Sequence, residues 1–131
     1  MKAEVTDERR AIVFPNDDVV VPKFNGGIVG GRVLDVSEVA GAYVRAGHVI
    51  ITDGKGAYKP LAVSGDGYSA VPGDWAICGV LYRTVLTRRP WASIMTDGRL
   101  NTEAAPYKIT AVEADLKAAL PLVELVKDEE A

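Results

Sequence analysis

Residues 67–85, GYSAVPGDWAICGVLYRTV, give the clearest indication of the fold. After a Pro-Gly-Asp break the stretch enters a long run, 75–86, whose two alternating faces are both apolar. A strand that is covered on both faces lies at the centre of a sheet. Gly79 inside this run predicts a β-bulge or the close approach of another backbone. We expect Cys78, the single cysteine of the chain, to be a small buried hydrophobic residue. The stretch therefore predicts core structure and not the wall of a catalytic pocket.

Length, composition and charge narrow the class of protein. The chain has 131 residues, which suit one domain with its own core. Its formal net charge is −3 and its basic residues are scattered, so we expect no nucleic-acid partner. The charged N-terminus MKAEVTDERR lacks the apolar segment of a signal peptide, and no run approaches the roughly 18–20 apolar residues of a membrane span. One cysteine excludes an internal disulfide. We therefore expect a protein made in a cytoplasm-like compartment, with no membrane partner.

Turn signals recur along the chain. Asp53-Gly54, Asp66-Gly67 and Asp97-Gly98 are three Asp-Gly pairs, the strongest short hairpin signal in a sequence. Short strands separated by such turns are typical of a β-barrel or β-sandwich. The predicted strands are the runs 11–14, 19–21, 32–36, 49–51, 58–63, 75–86 and 91–96.

The end of the chain changes character. Residues 110–121, TAVEADLKAALP, have apolar residues at helical spacing, with Thr110 and Glu113 placed as a capping box and Pro121 as a stop. Residues 122–126 predict a last short strand. The fold class is thus mainly β: a small single-domain barrel or sandwich with one C-terminal helix. Its predicted parts are an N-terminal arm with short strands (1–22), a β-rich body (23–126) and an acidic tail (127–131).

The sequence matches none of the common phosphate-binding, zinc-binding or serine-nucleophile motifs that we considered. The cluster GGIVGG, 26–31, lacks the glycine spacing of a dinucleotide-binding or phosphate-binding loop. We expect these glycines to adopt positive φ angles where the chain enters a strand. The only histidine, His48, and one distant cysteine cannot form a zinc site without several acids. No serine lies in a G-x-S-x-G motif. We expect no catalytic residue, cofactor or metal. A pair of carboxylates from distant strands, as glycoside hydrolysis requires, stays an open hypothesis, with Asp17-Asp18 and Asp35 as loose candidates.

The order of segments along the chain resembles a known family. The segments are VRAGHVI (44–50), GVLY (79–82), IMTDGRLN (94–101) and LKAALPLV (116–123). In this order they resemble bacteriophage head fiber and head decoration proteins, over roughly residues 23–126, with the head fiber type nearer. The chain ends at residue 131 without the collagen-like or coiled-coil shaft of many head fibers, which favours a short decoration or base module.

The resemblance implies a non-enzymatic virion protein on the outer surface of the capsid. Its partners would be the major capsid protein and two further copies of itself in a homotrimer. Weak contacts repeated over a symmetric shell add up by avidity. Aromatic residues are frequent anchors of interfaces, and our candidates for docking are Phe14, Phe24 and Tyr43.

Two other hypotheses stay open. One is a small carbohydrate- or ligand-binding β-domain, which would present an aromatic platform on one sheet face. The other is a small hydrolase that uses acids from separate strands, assisted by His48.

Overall fold

The computed structural model describes residues 17–127, which form twelve strands and two short helices. The predicted run 11–14, with Phe14, and residues 128–131 of the tail lie outside the described residues. In chain order the elements are α1 (Asp17–Val20), β1 (Lys23–Gly27), β2 (Arg32–Val33), β3 (Tyr43–Val44), β4 (Val49–Thr52), β5 (Tyr58–Pro60), β6 (Val63–Ser64), β7 (Gly67–Tyr68), β8 (Ala76–Leu81), β9 (Val85–Leu86), β10 (Trp91–Ala92), β11 (Ile94–Asn101), α2 (Glu113–Ala119) and β12 (Val123–Val126).

One six-stranded sheet organises the domain. Its order is β1-β11-β8-β4-β5, and β12 pairs in parallel with the second half of β11. The other pairings of this sheet are antiparallel. Three two-stranded ribbons lie beside it: β2 with β10, β3 with β9, and β6 with β7. The predicted mainly β fold is confirmed, whereas the described strands do not close into a barrel.

The central strands β4, β8 and β11 are buried on both faces. Val49 and Ile51 of β4 belong to one buried cluster, and Ile50 between them belongs to a second cluster. Val80 and Leu81 of β8 divide between the same two clusters. Consecutive residues of a strand point to opposite faces, so this division means that the sheet has a core on each side. The expectation that 67–85 holds a central strand is confirmed.

Gly79 has the role expected from its position in the middle of β8. A side chain there would lie against Ile94 Cγ2 and 2.8 Å from the carbonyl oxygen of Met95. The register of β4 against β8 also shifts between Ile50 and Ile51, next to Gly79. The glycine thus allows β11 to approach β8 closely.

Two of the three predicted hairpin turns are present. Asp53-Gly54 lies in the β4–β5 loop. The β6–β7 turn is formed by Gly65 and Asp66, one residue earlier than the predicted Asp66-Gly67 pair, because Gly67 already belongs to β7. The third prediction is wrong, because Asp97-Gly98 lies inside β11. A Cβ at Gly98 would collide with the carbonyl oxygen of Lys23 in β1. Gly98 is required because a neighbouring strand approaches closely at this position. An Asp-Gly pair in the sequence does not distinguish such a close approach from a turn.

Other predicted boundaries need correction. The run 75–86 is divided, because β8 ends at Leu81 and β9 pairs separately with β3. The run 19–21 is not a strand: α1 includes Val20, whose side chain is buried in the core. Residues 17–127 therefore contain two helices, where the sequence predicts one. Helix α2 begins after Val112 with no side-chain cap, so the Thr110–Glu113 capping box is wrong, whereas the strand predicted at 122–126 is confirmed as β12.

Candidate functional site

A group of exposed apolar side chains lies on β1, β2 and β10 and on the loop between β1 and β2. We call Phe24, Val29, Val33 and Trp91 the Trp91 face. Their exposed fractions are 40%, 92%, 64% and 69%. Val33 and Trp91 are register partners in the β2–β10 ribbon, and all four line one open cavity of about 890 Å³. Large exposed apolar patches mark interaction sites more often than chance.

Glycines allow the backbone beneath this face to pack closely against β10 and β11. The Ile28 N–H donates to the Ile94 carbonyl oxygen at 3.0 Å, which fixes the loop after β1 on β11. A Cβ at Gly27 would collide with the same Ile94 oxygen, and one at Gly31 would lie 2.6 Å from the Ala92 oxygen. Gly30 and Gly31 have φ angles of 81° and 68°, as expected for a cluster that serves chain geometry. The exposed side chains of the Trp91 face are therefore attached to a closely packed backbone.

The one cation among the residues that line this cavity is already engaged. Arg32 Nη1 donates to the carbonyl oxygens of Gly31 at 2.6 Å and Val29 at 3.2 Å. Its guanidinium also lies 5.5 Å from the ring centroid of Tyr58. A partner that covers the Trp91 face would therefore meet mostly apolar surface and a guanidinium whose hydrogen bonds are partly satisfied within the chain.

The structure separates the residues predicted for docking. Phe24 belongs to the Trp91 face, where its ring stacks on Tyr82 at a centroid distance of 4.3 Å. Tyr43 is also 40% exposed, but it lines a different cavity and lies beside Arg45. Sequence reasoning missed Trp91, Val29 and Val33. Strands β2 and β10 have two residues each, which is too short for a periodic pattern to show which side chains face solvent.

The second cavity, of about 420 Å³, is the His48 pocket, named after the only histidine of the chain. The His48 side chain is buried, and its Nε2 lies 2.8 Å from the Leu61 carbonyl oxygen. Its ring is packed edge-on against Tyr68 and Tyr107 at 5.3 and 5.4 Å. Burial lowers the pKa of His48 below its ordinary value, opposed by the hydrogen bond to Leu61. The imidazole is therefore neutral at pH 7.

Charged residues of both signs also line the His48 pocket. They are Asp35, Glu38, Arg45 and Lys59. Lys59 Nζ lies 3.5 Å from Glu38 Oε1 and 4.4 Å from the ring centroid of Trp75. The Ser37 backbone N–H donates to Asp35, which lowers the pKa of that carboxyl group. The two acids and two bases give the lining no formal net charge.

The remaining candidates for chemistry have structural explanations. The buried Asp17 carboxylate accepts hydrogen bonds from Thr84, and exposed Asp18 pairs with Arg83 at 2.8 Å. Burial raises the pKa of the half-buried Cys78 thiol to about 11, so the reactive thiolate is disfavoured at neutral pH. Within residues 17–127, no three His, Cys, Asp or Glu side chains gather where they could hold a metal ion. In the same range, neither helix is long and apolar enough to cross a membrane.

Comparison of the chain with models of known protein families, with curated proteins and with solved structures finds no match.

Proposed function

We propose that this chain is a non-enzymatic structural protein of a bacteriophage virion, which binds the outside of the capsid as a head decoration or head fiber module. The observation that carries the proposal is the Trp91 face. The order of the segments from residue 44 to residue 123, which resembles that family, gives the class of partner.

The Trp91 face has the composition of an interface anchor. Trp is among the residues that contribute most when an interface forms, particularly at the centre of an apolar patch. Here Trp91 lies beside Val33, close to the almost fully exposed Val29 and to the ring of Phe24. Leaving such side chains in water has a cost, and covering them with a partner removes it.

The partner we assign to this face is the major capsid protein. A capsid presents the same surface many times, so a docking patch of modest size gives stable decoration when several copies bind together. A trimer placed on a local threefold axis would present three Trp91 faces to three equivalent capsid subunits. We therefore propose a homotrimer at the capsid surface, with the Trp91 faces toward the shell.

The test compares two exposed apolar residues. Trp91→Ala removes the proposed anchor, and Leu122→Ala is the matched control, because Leu122 is 64% exposed and does not line the cavity of the Trp91 face. Purified variants are mixed with capsids that lack the protein and are then sedimented. Loss of a central Trp anchor typically costs at least about 2 kcal/mol, so we expect capsid affinity to fall by about 30-fold or more for Trp91→Ala. Equal binding of both variants would contradict the proposal.

A further inference from the structure

We propose that the His48 pocket is a binding site for a small neutral polyhydroxylated molecule, of the size and chemistry of a monosaccharide, one of whose hydroxyl groups donates a hydrogen bond to His48 Nδ1. This site is separate from capsid docking and does not depend on it.

The hydrogen bonding of His48 decides which of its nitrogen atoms can receive a ligand. The Leu61 carbonyl oxygen can only accept, so Nε2, at 2.8 Å, must carry the proton and donate it. In a neutral imidazole the other nitrogen, Nδ1, is then a hydrogen-bond acceptor with no proton of its own. The neighbouring rings of Tyr68 and Tyr107 lie nearly perpendicular to the imidazole, at interplanar angles of 76° and 74°, and do not change this assignment.

The Nδ1 atom has no hydrogen-bond donor among the described residues, since the Leu61 contact is the only hydrogen bond that the His48 side chain makes there. In the same range, no fully buried side-chain nitrogen or oxygen atom lacks a partner. Nδ1 therefore keeps some access to solvent, although the residue as a whole is only 8% exposed. His48 lines the cavity of about 420 Å³, and we infer that Nδ1 is reached from there. The pocket thus has an unused acceptor, held in one orientation, in its wall.

The size and walls of the pocket fit a small ligand with an apolar side. About 420 Å³ lies within the usual range for sites that bind small molecules. The walls include the rings of Tyr43 and Tyr107 and the prolines Pro60 and Pro72. Aromatic rings offer flat apolar faces and proline rings offer puckered apolar surfaces, and both can pack against the C–H groups of a sugar ring.

The charges in the lining favour a neutral ligand. Glu38 and Lys59 pair with each other, and Asp35 is held by the Ser37 N–H. Arg45 is placed over the ring of Tyr43 at 5.5 Å. An anion or a cation would therefore meet charges of both signs, with no excess of the opposite sign. A polyol can donate to the carboxylates and to His48 Nδ1, and it can accept from Lys59.

The experiment uses the fact that His48 is the only histidine, so that its ring nitrogen signals can be assigned without ambiguity. Nitrogen-labelled protein is titrated at pH 7 with methyl glucoside, methyl galactoside or N-acetylglucosamine, and ring signals are followed by long-range proton–nitrogen NMR. We expect an unprotonated Nδ1 in the free protein. At least one sugar should shift its signal saturably. An unshifted Nδ1 signal with all three sugars overturns the proposal, as does equal or tighter binding of glucuronate, the anionic analogue.

A variant tests the role of the acceptor directly. His48→Gln keeps an N–H that can donate to the Leu61 carbonyl oxygen, and it replaces the ring acceptor Nδ1 by an amide oxygen in a different position. We expect it to bind the sugar about tenfold more weakly, as measured from the amide signals of Val44 and Ala62 in the same pocket. Trp91→Ala, the docking variant, should bind as the unchanged protein does. Unweakened sugar binding by His48→Gln would contradict the inference, and the titration of the unchanged protein remains decisive if this variant does not fold.

Discussion

Replacing Asp17 by Ala should destabilise the domain strongly, although Asp17 was a loose candidate for catalysis on sequence grounds. Its buried carboxylate accepts from the Thr84 backbone N–H at 2.9 Å and from Thr84 Oγ1 at 2.8 Å. Thr84 Oγ1 in turn accepts from the Ala46 N–H at 3.0 Å. Each hydrogen bond to a charged group contributes about 1.5–3 kcal/mol, and losing both leaves a buried N–H without its acceptor. We expect the free energy of unfolding to fall by about 3 kcal/mol.

The assay is urea unfolding followed by tryptophan fluorescence. With a urea dependence of about 1.5 kcal/mol per molar, a loss of about 3 kcal/mol lowers the midpoint by about 2 M. The adjacent Asp18→Ala is the matched control, because the Asp18 side chain is 80% exposed and its pair with Arg83 lies at the surface. Exposed ion pairs contribute little, so this midpoint should barely move. Similar midpoints for Asp17→Ala and Asp18→Ala would refute the structural role of the Asp17–Thr84 network.

Three further predictions concern the core. Gly79→Ala places a methyl group 2.8 Å from the Met95 carbonyl oxygen and should cost about 3 kcal/mol or more in urea unfolding. Gly73→Ala, with no atom within 4 Å of the new Cβ, should be close to neutral, and equal effects would refute the close packing of β8 on β11. Because burial lowers the pKa of His48, the unfolded chain binds more protons near pH 6. Stability should therefore be full above about pH 6.5 and fall as the pH drops below it, at no more than about 1.4 kcal/mol per pH unit from this group. His48→Gln should lack this component, and an unchanged pH profile in that variant would contradict the assignment. Cys78 should react slowly with a thiol reagent at pH 7 in the folded protein and rapidly in urea, since its pKa is raised to about 11. Equal rates in both states would contradict its burial.

The parts of the fold that the sequence predicts are those with a strong local pattern. The continuous apolar run around Val80 and Leu81 indicates a strand with a core on both sides, and the structure has β8 there. The turns near Asp53 and Asp66 are local in origin and were predicted correctly. The turn prediction at Asp97-Gly98 is wrong because this glycine is needed for close packing against β1, which comes from a distant part of the chain.

The candidate sites depend on contacts between distant segments and were harder to predict. The short run that includes Val20 is apolar enough for a strand, but Val20 lies in the helical turn α1. The first residue of this turn, Asp17, is buried and accepts a hydrogen bond from Thr84, 67 residues away in the chain. Trp91 was among the aromatic residues of the sequence, yet its exposure depends on its pairing with Val33 across the β2–β10 ribbon. The unused Nδ1 of His48 depends likewise on the contact with Leu61. None of these pairings has a signature in a single sequence.

The proposed position on the capsid is tested most directly by immunogold electron microscopy of phage particles from a bacterial lysate that contains this chain. Antibody against this chain should label the heads evenly, because the account places many copies on the outer surface of the capsid. Heads without label, in a lysate that contains the protein, would contradict the account. The ligand site of the His48 pocket would then be the leading basis for its function.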